Sequence, residues 1–168
     1  VEMERSNIAE RSSKLFPFSG IYSASKYLIN LEDKKKIEQI VTLVSSFWES
    51  VGQQFDQWRG VRIGNISATE VRRDYIHTHV VMLQALGIAG KDLIKANSTN
   101  WKAKLKNLKK IDWLKSNPIW DRRVLNNGRV VKNSNSIVLA SNVIKKALGV
   151  SLNVNEKALE SKFKKNGK

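Results

Sequence analysis

Apolar positions in this chain recur mostly every three or four residues and seldom every two, a pattern that predicts helices rather than strands. Phe18, Ile21, Tyr22, Ser25, Leu28 and Ile29 fall on one face of a helix over residues 18–30, with Pro17 at its start. Asn30-Leu31-Glu32-Asp33 breaks that pattern, and Asp33 is suited to cap the next helix. That helix, the longest, is predicted over about 33–58. Ile37, Val41, Val44, Trp48, Val51, Phe55 and Trp58 alternate spacings of four and three along it. This is an a/d seam, but it is short, Gly52 interrupts it, and Leu43 and Phe47 widen its apolar face. A core helix of a bundle fits that combination better than a coiled-coil partner surface.

After a link from Gly60 to Asn65, Ser67-Ala68-Thr69-Glu70 has the spacing of a capping box. The helix it opens is predicted to run to about Leu86. Val71, Tyr75, Thr78 and Met82 form one apolar face, Ile76, Val80 and Leu83 a second, and Gly87 and Gly90 serve as stop signals. A short amphipathic helix follows from Trp101 to Ile111, with Trp101, Leu105, Leu108 and Ile111 inward. Asn117-Pro118 reads as a further helix start, Asn126-Asn127-Gly128 as a turn, and Val130-Val131 as a short extended segment. A helix capped by Ser134 or Asn135 then runs to Gly149, and Asn153 or Asn155 opens a last one. The expected fold class is all-α: a compact multi-helix bundle of about seven or eight helices. Residues 1–16 read as a connection from a missing upstream domain, 17–163 as a single helical domain and 164–168 as a basic tail.

Leu, Ile, Val and Phe supply 49 of the 168 residues, well above the ~20% below which chains tend to be disordered. The chain has no cysteine, which excludes a disulfide scaffold, a thiolate metal site and a Cys nucleophile. No apolar run reaches the ~18 residues of a membrane span. The start, Val1-Glu2-Met3-Glu4-Arg5, resembles neither a signal peptide nor an initiator and is read as a cut through a longer protein. The cytoplasm is the expected setting.

Charge changes the picture. The net charge is +15, of which residues 1–101 contribute +2 and residues 102–168 contribute +13. So concentrated a positive potential points to a polyanion partner. Lys102, Lys106, Lys109 and Lys110 form a stripe, followed by Arg122, Arg123, Arg129, Lys132, Lys145 and Lys146. These ten residues are the candidate nucleic-acid contacts, since gripping phosphates requires only several cations on one surface. Asn133, Asn135 and Asn142 have the chemistry to read bases, although capping accounts for the first two. From Ile119 to the helix over 135–148 the chain resembles a helix-turn-helix only loosely, its connection being longer than the usual turn.

Catalytic chemistry finds little support. His77 and His79 lie two apart, on opposite sides of any helix, so they cannot share a metal, and His77 is placed on a polar face with Arg73 and Asp74. Asp112 and Asp121 are isolated carboxylates in a basic region. There is no phosphate-cradling glycine loop and no nucleophile elbow. Neither an enzyme activity nor a cofactor is expected. The five tryptophans read as core, with Trp113 and Trp120 the two nearest to cations.

Several short motifs in order carry a family resemblance. They are Arg11-Ser12-Ser13-Lys14-Leu15-Phe16 with Ser19-Gly20-Ile21-Tyr22, Ile111-Asp112-Trp113 with Ser116-Asn117-Pro118, Gly128-Arg129-Val130, and Asn142-Val143-Ile144-Lys145 with Ala147-Leu148-Gly149. Together they resemble the C-terminal region of the DNA sulfur modification family DndB. The Asp-Gly-Gln-His-Arg signature of the family's N-terminal part is absent, as the resemblance implies for a chain that starts after it. The resemblance implies a bacterial transcriptional repressor that binds the promoter of its own DNA phosphorothioate modification operon. Double-stranded DNA and the missing N-terminal domain are then the expected partners. No catalytic residue carries over. The alternative is a helical interaction module, self-associating through the a/d seam and supporting DNA binding by the missing domain; a third reading has the missing half complete an active site.

Overall fold

The computed structural model describes residues 1–29 and 36–165. The predicted Asp33 cap and the end of the basic tail lie outside the described residues. Among the described residues the chain forms eight α-helices, three short 3-10 helices and one two-stranded hairpin, so the all-α expectation holds. The helices are α1 (Phe18–Leu28), α2 (Ile37–Gly52), α3 (Asp56–Arg62), α4 (Ala68–Asp74), α5 (Val80–Ala96), α6 (Trp101–Lys104), α7 (Ser134–Leu148) and α8 (Val154–Lys165).

α5 is the central element, packed against both α1 and α7. Gly87 and Gly90, expected to stop a helix, sit in its middle. A Cβ on Gly87 would lie 2.3 Å from the backbone oxygen of Ala24 in α1, and one on Gly90 would lie 2.4 Å from the Phe47 ring in α2. The missing side chains permit close approach, and tertiary packing outweighs the weak helix propensity of glycine. The same packing corrects the face of α1. Its buried residues are Gly20, Ala24 and Leu28, while Phe18 and Tyr22 stack on each other in the exposed face. Gln84 Nε2 donates to Ser23 Oγ at 3.1 Å, and Trp48 Nε1 to Ser25 Oγ at 2.9 Å, fixing α1 to its neighbours.

The helix predicted over 67–86 is broken. Ser67 and Glu70 do form the reciprocal capping box at its start. At Tyr75, however, the backbone turns extended and pairs with Leu114; Ile76 N–H donates to Trp113 O and Lys115 N–H to Asp74 O, both at 2.9 Å. These bonds come from residues some 40 positions away, a signal that no local periodicity contains. A 3-10 turn over Ile76–Thr78 follows before α5 begins. The helix predicted over 33–58 likewise divides, α2 ending at Gly52 and α3 starting after Phe55, whose ring is buried against Trp58. Within the a/d seam Phe55 and Val51 are core, whereas Ile37 and Val41 are exposed.

α6 continues as a 3-10 turn over Leu105–Lys110, then a 3-10 turn over Pro118–Trp120 with Asn117 Oδ1 accepting from Ile119 N–H. Trp113 and Trp120 stack at 5.6 Å, and their indoles donate to Leu108 O and Asp112 O, so this irregular stretch has its polar groups satisfied within the core. Strands β1 (Leu125–Asn126) and β2 (Arg129–Val130) close through Asn127-Gly128, both at positive φ as a type I′ turn requires. α7 is capped by Asn133, one residue before the expected position, and ends at Gly149 in the left-handed conformation. Asn153 and Glu156 form a capping box at α8.

Residues 1–16 are laid against the domain. The Arg72 guanidinium donates to the carbonyls of Glu10 at 2.6 Å, Ser12 at 2.9 Å and Lys14. Leu15 is buried with Ala68 and Val71.

Candidate nucleic-acid interface

The ten basic residues singled out in the sequence separate into three groups. Lys102, Lys106, Lys109 and Lys110 are exposed along α6 and the turn that extends it, opposite buried Trp101, Leu105 and Leu108. The stripe survives although only its first turn is α-helical, because 3-10 geometry still separates an inner from an outer face. Lys102 Nζ lies 5.5 Å from the Trp101 ring centre. Arg129 and Lys132, in and just after the hairpin, are also exposed. None of these six makes an ion pair with a described residue. The turn over Leu105–Lys110 packs on α7, the helix that follows the hairpin.

Two residues are corrections. Lys145 is wholly buried, its ammonium held between Asp92 and Glu156. Arg123 is 7% exposed and binds Glu160 through both guanidinium arms, at 2.5 and 3.0 Å, with the Phe163 ring 4.2 Å away. Both cations are neutralised inside the protein and present no charge to a partner. Asn142 is buried as well. Its Nδ2 donates to Glu156 O and Glu160 Oε2, so it does not read bases.

The third group stands between these cases. Lys146 is half-exposed and donates to Glu160 Oε1 at 3.2 Å. Arg122 is exposed beside Asp121, at 3.9 Å, and lies near the Phe163 ring. Burial alone would raise the Glu160 carboxyl, but hydrogen bonds from Arg123, Asn142 and Lys146 outweigh it and hold the group down to about 2. α8 therefore seats two carboxylates against cations of the preceding chain, and Glu156 and Glu160 are its only buried residues. This pair was missed in the sequence, although a signal existed: they are the only two acids after Asp121 and stand four apart, on one helical face.

α7 is not a recognition helix. Ten of its residues are buried, and the element before it is a hairpin, not the first helix of a helix-turn-helix. The histidines are not a site either, and the polar face assigned to His77 is corrected. Its ring is fully buried, contacts Phe55, Tyr75 and Trp113, and accepts a hydrogen bond at Nδ1 from Trp58 Nε1. Among the described residues no three His, Cys, Asp or Glu side chains gather as metal ligands, and no helix is long and apolar enough to cross a membrane. Asp112 Oδ1 accepts from Leu114 N–H in a local turn.

A family model described as DndB, DNA-sulfur modification-associated, matches residues 1–151. α8 falls beyond the matched residues. No curated protein and no solved structure matches the chain.

Proposed function

The chain belongs to the DndB family, which is associated with DNA sulfur modification, and from that premise we propose that it is a helical DNA-binding domain of a transcriptional repressor of the phosphorothioate modification operon. Its basic surface grips the sugar–phosphate backbone of duplex DNA. The single observation that carries this reading is the set of six exposed cations that make no ion pair with a described residue: Lys102, Lys106, Lys109, Lys110, Arg129 and Lys132. Exposed cations that no carboxylate neutralises replace the counterions condensed on DNA, and the release of those counterions is the main source of non-specific affinity. Such contacts position a protein on the duplex without reading its sequence.

Fluorescence anisotropy with a duplex carrying the operon promoter, beside a scrambled duplex and across a salt series, tests the proposal. Binding to both with a steep log–log salt slope identifies a phosphate-gripping domain. Discrimination that survives high salt identifies sequence or shape readout. Absence of binding at low salt refutes the reading.

A second reading, an interaction module, draws on the opposite surface chemistry. Ile37 is 79% exposed, and Val41, Phe18 and Tyr22 are exposed too. Apolar side chains in that number suit a protein contact. Sedimentation across a concentration series tests it, a monomer at every concentration ruling out self-association.

A further inference from the structure

A cavity of about 300 Å³ opens at the end of the lysine stripe, and Lys109 stands in its wall. The start of α3 forms one side and the segment from Ile111 to Leu114 the other, and Tyr75, bridged to Leu114 through the backbone, joins them. Phe55 and Trp113 are the most deeply buried lining residues, and their rings meet edge to face at 5.2 Å as a floor. Stacking of Phe55 on Trp58, of Tyr75 on His77 and of Trp113 on Trp120 holds all three rings in place, so the cavity is pre-formed. Polar groups in its wall are still available. The Gln57 side chain makes no hydrogen bond with a described residue. Asp112 uses Oδ1 for Leu114 N–H, while its Oδ2 has no described partner. Asp56, also in the wall, is paired with Arg59.

We propose that this cavity receives one unpaired nucleobase bearing an exocyclic amine, cytosine or adenine, from the strand whose phosphate Lys109 holds. The proposal rests on the stripe being a phosphate grip for that strand, while the cavity's own chemistry selects the base. Carboxylates at Asp56 and Asp112 disfavour an anion inside, so the phosphate stays outside on Lys109. A flat ring with apolar faces and a polar edge suits an aromatic floor under a polar rim. The volume lies at the low end of the ~300–1,000 Å³ range of ligand sites, enough for one base with its sugar. Asp112 only accepts hydrogen bonds, whereas Gln57 both donates and accepts. Cytosine and adenine present an amine beside a ring-nitrogen acceptor. The amine donates to Asp112, and Gln57 Nε2 donates to the ring nitrogen. Thymine places a carbonyl oxygen where the amine would be, against the carboxylate, and is rejected.

The test uses one DNA duplex in three forms: fully paired, with a single bulged cytosine, and with a single bulged thymine, since an unpaired base costs least to withdraw from the stack. The two bulged duplexes carry equal charge, so the phosphate grip cancels between them. In anisotropy titrations the cytosine bulge is expected to bind at least about fivefold more tightly than the thymine bulge or the paired duplex. Asp112→Asn, whose amide oxygen still accepts from Leu114 N–H, is expected to abolish that preference, and Gln57→Ala to reduce it, with unfolding temperatures unchanged. Equal binding of the two bulged duplexes by the unaltered chain, or a preference that both variants keep, overturns the pocket, while salt-dependent binding of the paired duplex leaves the repressor reading standing. If no duplex binds, the phosphate grip fails, and titration with deoxycytidine decides the pocket by itself. Saturable shifts of the Trp113 indole N–H resonance that thymidine does not reproduce uphold it, and their absence overturns it.

Discussion

Trp58 donates its indole N–H to Nδ1 of His77 at 2.9 Å, which fixes the imidazole as neutral with its proton on Nε2. That second nitrogen is buried without a partner. Burial, and then the charge of His79, pushes the His77 pKa down to about 3; burial is also the main reason that His79 is pushed down to about 4.

Acid sensitivity follows. The unfolded chain protonates each imidazole near pH 6.5, the folded chain only near 3 and 4. Between those values the unfolded state holds more protons, so stability is complete above about pH 6.5 and falls as pH drops, by about 1.4 kcal/mol per pH unit per ring. Urea midpoints measured from pH 7.5 to 5 are expected to fall steeply below 6.5. In His77→Leu the slope over that range is expected to be about halved, since only His79 still titrates.

Charge removal at Lys145 and Lys102 should have opposite signatures. Lys145→Met leaves Glu156 as a buried carboxylate without its cation, and a loss of about 3–5 kcal/mol is expected in chemical denaturation. Lys102→Met, at an exposed side chain, should change stability by no more than about 0.5 kcal/mol and instead weaken duplex binding.

Replacing Gly87 by alanine sets a Cβ against the Ala24 carbonyl, a backbone atom that cannot turn aside. A loss of about 1–3 kcal/mol or more is expected. Thermal unfolding of Gly52→Ala is the control, because its added Cβ meets only ordinary contact with Trp58 at 3.9 Å.

Neutralising Lys102, Lys106, Lys109 and Lys110 together to glutamine should lower the log–log salt slope of duplex binding by about 0.9 for each phosphate contact removed. An unchanged slope in anisotropy titrations would place the DNA-gripping surface away from this stripe.

Local signals were legible in the sequence wherever a few neighbouring residues decide the geometry. Ser67 with Glu70, Asn117 with Pro118, Asn127-Gly128 and Gly149 all act as their chemistry dictates. Features set by distant residues were not legible. The break at Tyr75 depends on hydrogen bonds with residues 113–115, and the buried face of α1 is marked by Gly20 and Ala24, small residues that a search for large apolar side chains passes over. For the candidate interface, counting charge located the exposed lysines but could not identify Arg123 and Lys145 as interior cations. Their burial depends on where Glu160 and Glu156 dock, which is a property of packing and not of composition.

The main chains of α1 and α5 touch where Gly87 faces Ala24, and this has a mechanical consequence. Neither helix can roll or slide past the other without driving backbone into backbone, so shear between them is blocked. A force applied to the exposed Phe18–Tyr22 stack is carried along α1 into α5 as by a stiff lever, and onward to α7, which also rests on α5.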